Sequence, residues 1–186
     1  VGRLPIHYAV FYDSPNLEVV KYLLEIYPEG AQTTDVYGRL PLHYAVDRLQ
    51  PNYELVKLLL SIYPQGAFIR DTNNRLPLII AIDHGGPTES IDVIKLLLNY
   101  NPQSIRERGL GGRYPLHVAV EVPKPNLQLV RYLANLFPDA ISIEITTGKG
   151  DTPLTICETN KCNVLIRELL LIRPEMNPQL LREENW

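Results

Sequence analysis

Three histidines, His7, His43 and His117, recur at the same place in a repeated phrase, and a fourth, His84, stands apart in a polar segment. Histidine is the commonest metal ligand and the commonest general base, so these residues are the first candidates for chemistry. A shared metal would need each ring nitrogen near 2 Å from one ion. Histidines one repeat apart are separated by about 10 Å, the spacing of packed helices. They are therefore expected to bond to backbone groups of a neighbouring turn. His84 is expected at the surface, because the chain has no G-x-S-x-G elbow, phosphate loop or H-E-x-x-H helix to give it a catalytic partner. The glycine-rich "RGLGGR" at 108–113 follows no strand and lacks the phosphate-loop lysine, so it reads as a rim turn. Cys157 and Cys162 complete no set of four ligands and are expected as reduced thiols, with Cys157 in a core position. No catalytic residue, metal site or cofactor is expected.

Two basic rows follow the same period. Lys21, Lys57, Lys95, Arg131 and Arg167 share one position of a helix, with Glu18, Glu54 and Asp92 three residues earlier. That spacing predicts surface ion pairs on a solvated face. Arg3, Arg39, Arg75 and Arg113 each stand two residues before a helix proline. Such a ladder has two readings: it grips carboxylates or phosphates of a partner bidentately, or each guanidinium reaches an acid such as Asp35 or Asp71 at a neighbouring turn. The second is favoured, and some arginines can serve both roles at the rim.

The elements that position these residues come from one phrase used five times. "VGRLPIHYAV" (1–10) returns as "YGRLPLHYAV" (37–46), "NNRLPLIIAI" (73–82), "GGRYPLHVAV" (111–120) and "KGDTPLTICE" (149–158). Its prolines, Pro5, Pro41, Pro77, Pro115 and Pro153, march with a second series at Pro28, Pro64, Pro102, Pro138 and Pro174. Two anchors advancing together mean one supersecondary unit in five copies. Each unit reads as two helices. The first starts at its proline, which wastes no N–H at N1, and runs as 41–47 does. The second is predicted over 17–27, 53–63, 91–100, 127–137 and 163–173. In "LEVVKYLLEIY", Leu17, Val20, Leu23, Leu24 and Tyr27 recur at helical spacing and are expected to pack on one side. The proline that follows is expected to stop that helix. Longer connections, "DHGGPTES" in unit three and the 138–153 link, are expected on exposed rims. A lone helix pair cannot bury its apolar face, whereas stacked pairs can.

Composition agrees with a folded domain: 45% of residues are apolar and 21% charged, with a net charge of −3. The charge disfavours nucleic acid, and no apolar run approaches the roughly 20 residues that span a bilayer, so no membrane insertion is expected. The first phrase begins at once at Val1, so the chain is expected to be a fragment with further sequence upstream. A cytoplasmic or nuclear location is expected.

These residues resemble ankyrin repeats, whose motif of glycine, then Thr-Pro-Leu-His-x-Ala, a helix with paired leucines and a closing Gly-Ala is matched by Gly38, Pro41, Leu42, His43, Ala45, Leu59, Leu60, Gly66 and Ala67. Gly2, Pro5, His7 and Ala9 match in unit one; Pro115, His117 and Ala119 match in unit four. The motif's threonine, a helix N-cap, is kept only at Thr152; Leu4, Leu40, Leu76 and Tyr114 replace it, and burial of the leucines is expected to offset a loss of about 1 kcal/mol per helix. The "RLPLH…IYPEGA" wording resembles that of large ankyrin families in unicellular algae. The resemblance implies an all-α solenoid of stacked antiparallel helix pairs with hairpin-like connecting loops. One domain, 1–186, would hold units at about 1–34, 35–70, 71–108, 109–146 and 147–176, with a capping helix at 177–186. It also implies a non-catalytic module that holds a protein or peptide on its concave face and loop rim. Another part of the same full-length chain is the second candidate for that partner. A spacer or self-associating array, and a regulatory domain of a larger enzyme, are the alternatives. By the family pattern the partner surface comprises Arg3, Phe11, Tyr12, Val36, Tyr37, Arg39, Arg48, Thr72, Arg75, His84 and Arg113, with Phe11, Tyr12 and Tyr37 as aromatic anchors.

Overall fold

A computed structural model describes residues 2–12, 15–84, 90–145 and 150–171. The chain divides into two compact units, Val1–Ser104 and Ile105–Trp186. Among the described residues every α-helix belongs to a repeat pair, and no strand occurs. The first unit holds three pairs: α1 (Pro5–Phe11) with α2 (Leu17–Ile26), α3 (Pro41–Val46) with α4 (Tyr53–Ile62), and α5 (Pro77–Asp83) with α6 (Ser90–Tyr100). The second unit holds α7 (Pro115–Glu121) with α8 (Leu127–Leu136), and α9 (Pro153–Thr159) with α10 (Val164–Leu171). The proposed capping helix at 177–186, and parts of both lengthened connections (85–89 and 146–149), lie outside the described residues.

The first helices begin without the side-chain cap that threonine would supply. Leu40 is extended (φ −75°, ψ 162°) and makes no side-chain cap bond. The histidine at N3 takes over half of that work: His43 Nδ1 accepts the Leu40 backbone N–H at 3.0 Å, and His7 Nδ1 accepts that of Leu4 at 3.1 Å. Burial contributes as well, since Leu40 and Leu76 are each 1% exposed. Where threonine is retained the box is reciprocal. Thr155 N–H donates to Thr152 Oγ1, and Thr152 N–H donates to Thr155 Oγ1.

Helices α2, α4 and α8 begin on asparagines. Asn16 Oδ1 accepts the N–H groups of Glu18 and Val19, Asn52 Oδ1 that of Leu55, and Asn126 Oδ1 those of Gln128 and Leu129. Asn52→Ala is expected to cost about 1 kcal/mol, read as a lower urea midpoint with an unchanged m-value.

The proline that follows each of α2, α4, α6 and α8 starts a new element rather than only ending one. Pro28–Gln32, Pro64–Phe68 and Pro138–Ile141 are 3₁₀ turns. The residue before each is swung out of the helix, as at Tyr63 (φ −132°, ψ 80°), as steric pressure from a following proline requires. This corrects the expectation that Tyr27 packs inward, for it lies past the helix end and is 49% exposed, while Val20 and Leu24 are buried.

In the first unit the core runs between paired helices through Leu40, Leu55, Leu60, Leu76, Leu78, Ile80, Ile82, Ile94 and Leu97. Leu116, Leu129 and Leu133 hold the second. The expectation of reduced thiols is also corrected. Cys157 is in the core as expected, but it is joined to Cys162, with Cα atoms 5.2 Å apart across the α9–α10 turn.

Candidate functional site

The hairpins between repeats of the first unit are built on two buried aspartates. Asp35 Oδ1 accepts the backbone N–H groups of Tyr37 and Arg39, closing a turn whose residue at φ +66° is Gly38. Asp71 repeats the arrangement with Asn73 and Arg75, and the left-handed position is filled by Asn74 at φ +60°. Asparagine tolerates that conformation better than other side chains, which explains the change of residue. The two hairpins are joined by Thr72 N–H donating to Tyr37 O at 3.0 Å.

The second carboxylate oxygen of each aspartate receives the arginine row. Asp35 Oδ2 accepts from Tyr44 Oη at 2.6 Å and from Arg3 Nε at 3.4 Å, and Arg3 also donates to Tyr44 Oη at 2.9 Å. The Arg3 guanidinium lies 5.1 Å from the Phe11 ring centre and 4.9 Å from that of Tyr44. Asp71 Oδ2 takes both Nε and Nη2 of Arg75, at 3.1 and 2.9 Å, with Arg39 Nε at 3.5 Å. Arg39 then donates from Nη1 to Asp47 at 2.8 Å. Burial pushes the Asp71 carboxyl up, but the Arg75 backbone N–H and guanidinium hold it below the usual range. Asp35 is also held low, burial being outweighed by bonds from Tyr44, Arg39 and Tyr37. In the second unit Arg113 pairs with Glu121 at 2.8 Å. All members of the row are thus engaged with acids of their own unit. In the outer row Lys21 pairs with Glu18 at 2.8 Å and Lys95 with Asp92 at 3.7 Å, whereas Lys57 lies 6.0 Å from the Tyr53 ring centre and Arg167 reaches Glu158.

The repeated histidines are fasteners. Because His7 and His43 accept an N–H at Nδ1, each ring must be neutral and carry its proton on Nε2. That proton is donated to the next hairpin, from His7 to Arg39 O and from His43 to Ile69 O, both at 3.1 Å. His117 Nε2 does the same to Ile143 O at 2.9 Å in the second unit. Burial pushes His43 down to about 4, against the pull of Asp71, and lowers His7 and His117 in the same sense.

An open groove of about 930 Å³ in the first unit lies along the C-terminal ends of α1, α3 and α5. It is lined by Phe11, Tyr12, Tyr44, Asp47, Arg48, Leu49, Gln50 and His84. Its apolar wall is open to solvent, with Phe11, Tyr12 and Leu49 at 46%, 65% and 66% exposure. Tyr44 is buried beneath, its ring edge-on to Phe11 at 5.6 Å. The polar end is organised around Asp47, whose two oxygens accept from Arg39 and from His84 Nε2 at 2.6 Å. Burial raises the Asp47 carboxyl, but His84 and Arg39 bring it below its usual range. Arg48 Nη2 donates to Val10 O at 2.8 Å, which seats its guanidinium across the end of α1. His84 is therefore not a bystander at the surface: it reaches back from the third repeat to the second.

Of the residues assigned to a partner surface, the groove collects Phe11, Tyr12, Arg48 and His84. Val36 and Tyr37 are exposed at a hairpin tip and Thr72 spaces the next one, away from the groove lining. Leu49 and Tyr44 escape the sequence reading. Leu49 has a weak signal, an apolar residue inside the polar "DRLQPN", whereas Tyr44 sits in the core phrase and looks purely structural. Among the described residues no three His, Cys, Asp or Glu side chains converge as metal ligands.

Helix pairs stacked within each unit and joined by hairpins define a repeat-built scaffold. A family model described as ankyrin repeats (three copies) matches residues 1–67 and again 48–139. The chain belongs to the ankyrin repeat family. Members of that family are in general protein-interaction modules, and typically not enzymes. No curated protein sequence matches the chain. No described helix is long and apolar enough to cross a membrane.

Proposed function

We propose that the first unit captures a protein or peptide segment in the groove along the ends of α1, α3 and α5. The carrying observation is that two aromatic side chains and a leucine stand exposed beside a fixed Arg39–Asp47–His84 system. Exposed aromatics next to arginine are the side chains that most often anchor a protein interface. The arginine row contributes to this surface by holding its frame. Arg39 keeps Asp47 in place, while Arg3 supports Phe11 and Tyr44 from behind.

The test is affinity capture with the wild-type chain and a Tyr12→Ser, Leu49→Ser variant, followed by hydrogen exchange on the captured complex. Both side chains are largely in water, so the variant should melt at the wild-type temperature. Binding through the groove predicts at least a tenfold loss of affinity, about 1.4 kcal/mol. Undiminished affinity, or protection mapped away from α1 and α3, sinks the reading. The Arg39→Ala, Arg75→Ala variant should behave oppositely, losing stability first.

A further inference from the structure

The turn between α9 and α10 departs from its counterparts at two positions. Four first helices carry alanine four residues after their proline, at Ala9, Ala45, Ala81 and Ala119, and the fifth repeat has Cys157 there. Pro-Asn leads into the second helix at 15–16, 51–52 and 125–126, and Cys162-Asn163 replaces it in the fifth repeat. Proline stiffens such a turn permanently, because its ring fixes φ. The cysteine in its place is tied to the alanine position by a bond that thiols can break.

The two sulfurs stand in unlike surroundings. Cys157 is 1% exposed, whereas Cys162 is half-buried and follows the exposed Lys161. Asn163 Oδ1 accepts the Leu165 N–H at 2.9 Å, so Cys162 stands just ahead of the positive end of α10. A neighbouring cation and a helix start both favour a thiolate. Cys162 Sγ lies 3.8 Å from Asn163 O, an acceptor for the thiol that reduction creates. Lys161 is held at φ +51°, a region that few side chains adopt. The turn is also tied to the repeat before it: Asn160 Nδ2 donates to Glu121 O at 3.3 Å, and Glu121 pairs with Arg113.

We infer that Cys157–Cys162 is a thiol–disulfide exchange site for a small thiol of the glutathione class, and that its reduction loosens the fifth repeat from the fourth. A thiolate attacks the reachable Cys162 Sγ and forms a mixed disulfide. The bond to Cys157 breaks with its electron pair on Cys157 Sγ, which takes a proton from water. A second thiolate attacks the sulfur of the first and releases Cys162 as a thiolate. The protein gains two thiols, and two thiols of the reductant become one disulfide. Oxidised glutathione reverses both steps. Once the bond is open, the turn is free to leave the left-handed conformation at Lys161, and the contact of Asn160 with Glu121 goes with it.

The test is incubation of the folded chain in glutathione buffers of graded reduced-to-oxidised ratio, at neutral pH and without denaturant. Trapping with iodoacetamide and peptide mass mapping should show a bridge lost and regained with the ratio, with glutathione attached to Cys162 alone. Hydrogen exchange across 157–171 should quicken about tenfold in the reduced chain, while the first unit is unaltered. Cys162→Ser should show the faster exchange in either buffer. A bridge that glutathione opens only after denaturant is added overturns the inference, and so does attachment at Cys157. It also fails if the thiols stay unbridged in oxidised glutathione, or if reduction and Cys162→Ser leave exchange across the turn unaltered.

Discussion

Asp71→Ala is expected to be among the most damaging single changes in the first unit, costing about 3–5 kcal/mol. The carboxylate side chain is 1% exposed and joins the guanidinium groups of Arg75 and Arg39 to the N–H groups that close its own turn. Removing it takes the main acid from Arg75 and one of two acids from Arg39, guanidinium groups that are themselves mostly covered, at 19% and 17% side-chain exposure. It also leaves two backbone donors without their acceptor, a loss that falls on a site with little access to water. Asp71→Asn isolates the charge, because an amide oxygen can still accept the turn N–H groups at Oδ1. The asparagine variant should lose less, and the difference between the two is the share carried by the turn. Urea unfolding of both variants at neutral pH reads this out. A cost for alanine below about 1 kcal/mol, typical of a surface pair, would show that the hub is incidental.

Stability should also fall steeply on mild acidification, well before carboxylates titrate. His43 drops from 6.5 in the unfolded chain to about 4 in the fold. Between those values the unfolded state binds more protons than the native one, so stability rises with pH there. The contribution is complete above about pH 6.5, shrinks through the window and is gone near pH 4. At 1.36 kcal/mol per pH unit the loss from this one ring is about 3 kcal/mol. His7 and His117 shift in the same direction and deepen the effect. Asp35 and Asp71, held low, extend it below the ordinary carboxylate range. Denaturant midpoints measured from pH 7.5 to 4.5 should therefore decline, and His43→Gln should be weaker at neutral pH but flatter across the window. A parallel decline in the variant would assign the acid sensitivity elsewhere.

The repeat period and the helix pairs were readable because their signals are local. A proline at N1, apolar residues at three-and-four spacing and a second proline all act within one turn of the residues they organise. The histidines were readable for a negative reason, since helix spacing excludes a shared ion. What escaped depends on partners far apart in sequence. His84 meets Asp47 across 37 positions, and neither residue type announces that partner, whereas Arg3 meets Asp35 and Arg75 meets Asp71 as the favoured reading of the row has it. The asparagine caps were hidden in segments that looked like ordinary turns. The groove was half visible. Phe11 and Tyr12 are conspicuous at a helix end, but the wall they form with Leu49 exists only when successive first helices lie side by side. The 3₁₀ turns were missed because proline was read only as a stop, although it can equally begin a tight helical turn.

Four fasteners of the first unit run forward, from one repeat to the hairpin of the next, while His84 reaches back to Asp47 and Arg48 to Val10 O. His7 reaches Arg39 O, Arg3 reaches Asp35, His43 reaches Ile69 O and Arg39 reaches Asp71. Loaded between its ends, such an assembly would not stretch smoothly. Each joint is short and at least partly buried, so it would hold until it gave way and then release a whole repeat of slack at once. With 36 residues from Pro5 to Pro41 and again to Pro77, one release lengthens the chain by about 120 Å. A pulling trace on this unit would be a staircase of even treads. The same joints that fix a groove for a partner would make the protein a tether that lengthens in counted steps.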